Sequence, residues 1–211
     1  MYNPVHFREE RTHVLHQLIR EHSLATVVTL GKEGLIANHV PLILDPDPAP
    51  FGTLRGHLSK ANSQWRDSLP DVRALVIFQG PSAYVTPSWY ATTEQTGNAV
   101  PTFNYIVVHA EGPLQIFDDP ASLEANVRAL TALHEAAFAV RWSVDDAPVD
   151  FIQSQLQGII GIEIPIRRLE GKWKVSQNRI PEDRQGAING LRAKGDPESL
   201  AMADWISIKN T

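Results

Sequence analysis

The stretch Ile160-Gly161-Ile162-Glu163-Ile164-Pro165-Ile166 decides how this chain is read. Isoleucine at every second position puts branched apolar side chains on one face of an extended strand, with Gly, Glu and Pro on the other. A helix would scatter them around its circumference. The pattern predicts a strand with one buried face, and Pro165, which has no N–H for a ladder, marks an edge or a bulge. Glu170-Gly171 reads as the turn into a partner strand, Lys172 to Ser176.

Upstream, further segments rich in β-branched residues read as strands: Leu24 to Leu30, Leu35 to Leu44, Thr53 to Leu58, and Val72 to Phe78 with an extension through Ala83 to Val85. Gly31 to Gly34 reads as a hairpin turn, and Thr102 to Ala110 with Pro113 to Phe117 as a second hairpin through Glu111-Gly112. Residues 7–22 place Val14, Leu15, Leu18 and Ile19 on one helical face. Asp119-Pro120 opens a helix with Leu123, Val127, Leu130 and His134 in its stripe up to about Ala139, and Asp146-Ala147-Pro148 opens another that ends at Gly158. Two more, at about 181–194 and 197–206, each begin at a Pro. Residues 86–101 have neither period and read as a candidate lid. Strands in hairpin order with helices at the edges predict an α+β fold, an antiparallel barrel with peripheral helices. We expect a single domain over 1–211, with a helical insertion at about 119–157 and C-terminal helices at about 181–206. Strict βαβ alternation, GxGxxG and Walker sequences are all missing, which leaves no case for a Rossmann domain.

The 211 residues are 43% hydrophobic and 20% charged, as in an ordinary globular protein. With no cysteine, thiol catalysis, disulfides and Cys-ligated metals are excluded. The histidines are scattered, and His13 with His16 lacks a third ligand at diagnostic spacing, so no metal site is expected. No GxSxG elbow or triad signature appears, and no catalytic residue can be assigned. The N-terminus has no basic start followed by an apolar core, and no run approaches the ~20 apolar residues of a membrane span; a cytoplasmic protein is expected. The net charge of −5 argues against binding nucleic acid by bulk charge, although residues 160–194 carry eight Lys and Arg against four Asp and Glu.

Three constellations could carry chemistry. The first is Arg55 to Arg66, where Ser59 stands as the cap of a short helix amid His57, Lys60 and Asn62. A helix start with a hydroxyl, an imidazole and cations around it suits a phosphate, and a capped surface helix with solvated cations explains it equally well. The second joins Gly80 to Tyr90 with Val100 to Tyr105, aromatics interleaved with Thr, Ser and Asn, which suits a planar polar ring or plain core packing. The third, Lys172 to Arg179, sets polar groups at a strand end, within reach of an anion or a partner subunit, or simply solvated.

In this order the blocks MYNPVHF (1–7), GHLSKANSQW (56–65), GPSAYVTPSWY (80–90), VPTFNY (100–105), WSVDDAP (142–148) and GKWKVSQNR (171–179) resemble the PaiB-type FMN-binding negative transcriptional regulators. The resemblance reaches to about Leu191, departing at Ser63, Thr86 and Phe103. It implies a split β-barrel related to pyridoxamine 5'-phosphate oxidase, FMN as cofactor, and a homodimer with FMN at the subunit interface. It points to His57, Ser59, Lys60 and Asn62 for the phosphate, and to Asn38, His39 and Val40 at a strand edge beside the flavin. Trp89, Tyr90, Thr102 and Asn104 would line the rest of the pocket, and Ser176, Gln177, Asn178 and Arg179 would come from the second subunit. A regulatory role follows from the family. The alternative is a flavin-dependent oxidoreductase, either a flavin reductase or a small-substrate oxidase, because FMN itself carries the chemistry. Direct DNA binding through the last two helices is disfavoured by Glu198, Asp204 and the net charge.

Overall fold

A computed structural model describes residues 1–209. In chain order the strands are β1 (Arg8–Glu9), β2 (Leu24–Gly31), β3 (Gly34–Pro41), β4 (Ile43–Asp45), β5 (Thr53–Ser59), β6 (Ala74–Val85), β7 (Thr102–Gly112), β8 (Gln115–Phe117), β9 (Ile159–Pro165) and β10 (Arg168–Lys174). The helices are α1 (Thr12–Glu21), α2 (Gln64–Asp67), α3 (Ala91–Thr96), α4 (Pro120–Glu135), α5 (Val149–Gln157), α6 (Pro181–Lys194) and α7 (Pro197–Lys209). The result is the expected α+β class, and every strand register described is antiparallel. The chain forms two compact units: Met1–Arg11, Gln79–Val108 and the described residues from Glu170 onward make one, and Thr12–Phe78 with His109–Leu169 the other.

In the first unit the strand order is β1-β10-β7-β6. Arg8 pairs with Lys172 and Glu9 with Gly171. That pairing corrects two expectations. The N-terminal helix begins at Thr12, not at residue 7, because Arg8 and Glu9 belong to a strand. Glu170-Gly171 is no turn but the middle of β10. The expected lid also carries structure of its own. Pro87–Trp89 is a 3-10 turn capped by Thr86, and α3 ends at Gly97 in the left-handed region, φ 70°. Thr92 fixes α3 to α6, its N–H and hydroxyl donating to the Asp183 carboxylate at 2.9 and 2.8 Å. Gly186 and Gly190, one helical turn apart on α6, leave the face on which Trp89 rests.

In the second unit β2 and β3 pair from Leu24↔Pro41 to Gly31↔Gly34, and β6 joins the other side of β2. A second sheet runs β4-β5-β9-β8. The run Leu35 to Leu44, expected as one strand, breaks at Leu42, whose N–H donates to Ser23 O at 2.9 Å. Ile43–Asp45 then pairs with β5 in the other sheet. Gly56 permits this corner, since a Cβ there would stand 2.7 Å from Pro41 O.

The decisive strand forms as expected: Ile160, Ile162, Ile164 and Ile166 are buried. It is an inner strand, however, between β5 and β8, and Pro165 sits at its end past the last residue that β8 pairs. The hairpins expected around it do not form. β8 pairs with β9, while β7 lies between β10 and β6 in the other sheet, so β7 and β8 are not partners. Nor is β10 the partner of β9. The bend between them is at Ile166 and Arg167, whose N–H groups donate to Gly52 O at 3.0 Å and Glu111 O at 2.8 Å. The helix expected to reach Ala139 ends at Glu135. The Asp119 carboxylate caps its start, accepting from Ser122 N at 2.8 Å.

Candidate functional site

The outer face of β5 organises the candidate site. Along this strand Leu54, Gly56 and Leu58 turn inward, while Arg55, His57 and Ser59 are at least partly accessible. Arg55 is held by two carboxylates, donating to Asp45 at 3.1 Å and Glu163 at 2.9 Å. His57 and Ser59 open onto a cavity of about 520 Å³ lined also by Asn38, His39, Val40, Asn62, Gln155, Gly158 and Ile159. The volume falls within the range of small-molecule and cofactor sites.

The wall between Ser59 and Gln64 differs from its sequence reading. Ser59 does not cap a helix: it ends β5, and its hydroxyl accepts from Ala61 N at 3.2 Å. The helix begins after Ser63 and is only four residues long, with Asn62 Oδ1 accepting from Gln64 N at 3.0 Å. Anion recognition here therefore falls to side chains and turn amides. Lys60 is exposed, and its N–H donates to Gly158 O at 2.8 Å, which ties the turn to the end of α5.

Two residues shape the cavity without having been singled out from the sequence. Gln64, 1% exposed, donates through Nε2 to Val27 O at 3.1 Å and Thr29 Oγ1 at 3.1 Å, and its Oε1 accepts from Asn38 Nδ2 at 2.9 Å. It thereby orients Asn38 from beneath. Asn126 on α4 reaches His57 on the other side, Nδ2 to Nδ1 at 3.3 Å. Burial pushes the His57 pKa down from its ordinary value, which favours the neutral ring. On β3, His39 Nδ1 lies 3.1 Å from Thr26 Oγ1 of the neighbouring β2.

Asn38, His39, Val40, His57, Ser59 and Asn62 thus share one cavity, with Lys60 beside it. The remaining residues singled out by the resemblance lie in the other unit. There Asn104 Nδ2 donates to Ser176 Oγ at 2.8 Å, both buried, and Ser176 takes a left-handed backbone, φ 62°. Gln177 closes the end of β10, its Oε1 accepting from Val175 N at 2.8 Å. Lys174 donates to Thr102 Oγ1 and to Phe103 O, and burial with repulsion from Lys172 and Arg179 pushes its pKa down. The Arg179 guanidinium lies 4.5 Å from the centroid of the Tyr90 ring. Tyr90 is 1% exposed, and burial raises its phenol pKa against the opposing charge of Arg179. Trp89 is half-buried and Asn178 exposed.

The donor set of the cavity suits a phosphate-bearing flavin. A hydroxyl, a carboxamide and a neutral imidazole face it, with a lysine alongside, and the sheet edge Asn38 to Val40 offers amide and apolar surface for a ring. Among the described residues no group of three or more His, Asp or Glu could hold a metal, and no helix is long and apolar enough to cross a membrane.

Residues 1–168 match the family described as "Putative FMN-binding domain". The protease synthase and sporulation protein PAI 2 of Bacillus subtilis is 30% identical over 99% of this chain and 98% of its own length. An uncharacterized protein of Emericella nidulans is 33% identical over 98% and 96%. Among solved structures, the conserved hypothetical protein Rv2991 of Mycobacterium tuberculosis superposes with a TM-score of 0.59 at 12% identity, covering 86% of this chain and 94% of that one. The FAD and heme binding protein of Mycobacterium smegmatis gives 0.59 at 15% identity, covering 90% and 80%. At such identities the structures speak for the fold alone, an antiparallel split barrel. The match over residues 1–168 and the full-length likeness to PAI 2 show that the chain belongs to the FMN-binding-domain family, the PaiB-type group that its six sequence blocks resemble.

Proposed function

We propose that this protein binds FMN in the cavity beside β5 and acts as a homodimeric, PaiB-type regulator. The observation that supports the reading is the convergence of Asn38, His39, Val40, His57, Ser59 and Asn62 on one cavity of cofactor size. In it the phosphate is held by Ser59, Asn62 and the His57 N–H, with Lys60 adding charge, and the ring lies along Asn38 to Val40. FMN would supply one- or two-electron redox chemistry, and the chain's own residues bind it, orient it and exclude water. Ser176, Gln177, Asn178 and Arg179 are contributed by the second subunit. The test is a visible spectrum and a solution mass of the freshly purified protein. Flavin bands, or quenching of added FMN at one FMN per chain, together with a dimer mass, are expected. A colourless monomer that leaves FMN fluorescence unchanged would overturn the reading. Anaerobic NADH or NADPH added to the flavin-loaded protein separates a regulator from a reductase, since bleaching would assign the enzyme activity.

A further inference from the structure

Asn126 is a buried carboxamide between apolar positions of α4, at the wall of a second cavity of about 510 Å³ that Arg55 and Glu163 also line. On α4 it follows Leu123 by one helical turn and precedes Leu130 by another, both buried, and it is itself only 5% exposed. A carboxamide in that position costs free energy unless it is hydrogen-bonded. Its Oδ1 is buried without a partner among the described residues, so part of that cost is uncompensated. The contact it does make runs from Nδ2 to Nδ1 of His57 at 3.3 Å.

The orientation of the Asn126 amide sets the direction of that contact. An amide nitrogen donates and cannot accept, so Nδ1 of the neutral ring accepts and the ring proton sits on Nε2. His57 lines the first cavity, whereas Asn126 reaches it from behind, out of a helix that is not part of that cavity's wall. Arg55, the next side chain on this face of β5, is already engaged by Asp45 and Glu163 and offers no competing partner.

We infer that Asn126 is a positioning residue of the cavity: by donating to Nδ1 it holds His57 as an Nε2–H donor to an oxyanion bound there, the FMN phosphate. The inference rests on the FMN reading of the cavity. It gives the insertion helix α4 a role in ligand recognition without contact to the ligand. Without Asn126 the ring can place its proton on either nitrogen, and the Nδ1–H form presents a lone pair at Nε2, which repels a phosphate oxygen.

The test uses the full chain with ¹⁵N-labelled histidine, first free of FMN. Long-range ¹H–¹⁵N correlation reports which ring nitrogen of His57 is protonated. Nε2–H is expected in the wild type, and a detectable Nδ1–H population in Asn126→Leu. Asn126→Asp provides a second arm if the leucine variant does not fold, because a carboxylate only accepts and so must draw a proton to Nδ1. The binding arm compares FMN with riboflavin, which lacks the phosphate: Asn126→Leu should weaken FMN by about three- to tenfold and riboflavin by less than twofold. Nδ1–H in the wild type, as a reversed amide would produce, or variants that leave both the tautomer and the FMN-to-riboflavin ratio unchanged, would overturn the inference. If wild-type protein binds no FMN at all, the cavity reading fails by itself, and the ligand-free tautomer comparison still decides whether Asn126 sets the His57 proton.

Discussion

Gly190 has no side chain where Trp89 has one: a Cβ on Gly190 would lie 2.2 Å from Trp89 Cδ2. Four residues earlier, a Cβ on Gly186 would lie 1.8 Å from the Trp89 carbonyl oxygen. Neither glycine has a left-handed backbone, so α6 uses them for space alone. Glycine in a helix interior costs about 1 kcal/mol relative to alanine. The close seat of Trp89 offsets that cost.

Gly190→Ala should therefore destabilise the protein despite the gain in helix propensity. The indole ring has to move to make room, and such overpacking costs about 1–3 kcal/mol. Urea unfolding followed by near-ultraviolet circular dichroism should show an earlier midpoint and an altered tryptophan band. A midpoint equal to or above the wild type's would mean that Trp89 shifts aside without loss.

Gln64 gives a second test, now of the cavity floor. Replacing it by alanine leaves Val27 O and Asn38 Nδ2 without their partner, which costs about 2 kcal/mol. Gln64→Ala should lower stability by that order and weaken FMN binding by releasing Asn38. Gln64→Glu keeps the acceptor for Asn38 but loses the donors to Val27 O and Thr29, so its FMN affinity should fall less than its stability. Equal losses of affinity in the two variants would show that Asn38 is not oriented in this way.

What could be read in the sequence and what could not follow from the range of each signal. Period 2 in Ile160 to Ile166 is local and gave the strand, but nothing within it says that its neighbours are β5 and β8. Glu170-Gly171 has the composition of a turn, yet long-range pairing with Glu9 holds it extended. Of the residues that line the candidate cavity, His57, Ser59 and Asn62 stood in a block whose residue types suit an anion, whereas Asn38, His39 and Val40 were reached only through the family resemblance. Gln64 and Asn126 were singled out by neither. Each is a buried polar residue whose partner lies far along the chain, and only the fold brings the two together.

Acid should act through Glu9. Its carboxylate accepts from the Arg11 N–H and guanidinium at 2.8–3.0 Å and pairs with Lys209, and hydrogen bonding to Arg11, chiefly, holds its pKa at about 2 against an ordinary 4.5. A carboxyl depressed on folding stabilises above its unfolded pKa and loses that contribution as the pH falls through the folded value. Glu9 should accordingly add on the order of 2 kcal/mol at pH 7, allowing for the exposure of Arg11, and lose it progressively from about pH 4.5 to 2. Denaturant unfolding of Glu9→Gln should be weaker than wild type at pH 7 and approach it near pH 2.5. A gap that stays constant over that range would show that packing, and not charge, is what glutamine disturbs.

A Ser59 variant distinguishes the proposed phosphate contact from the proposed ring contact. The Ser59 hydroxyl sits in the cavity wall at the end of β5, and the turn it supports through Ala61 N is exposed, so Ser59→Ala should leave the fold intact. One hydrogen bond to a charged group is worth about 1.5–3 kcal/mol, and 1.4 kcal/mol is tenfold in affinity. Fluorescence titration should then show FMN binding weakened by about tenfold or more, with riboflavin unchanged, because riboflavin has no phosphate to lose. His39→Ala, at the sheet edge, should weaken both ligands alike. If Ser59→Ala weakened riboflavin as much as FMN, the hydroxyl would be acting on the ring or on the shape of the turn, and the phosphate would have to lie toward Asn38 to Val40 instead.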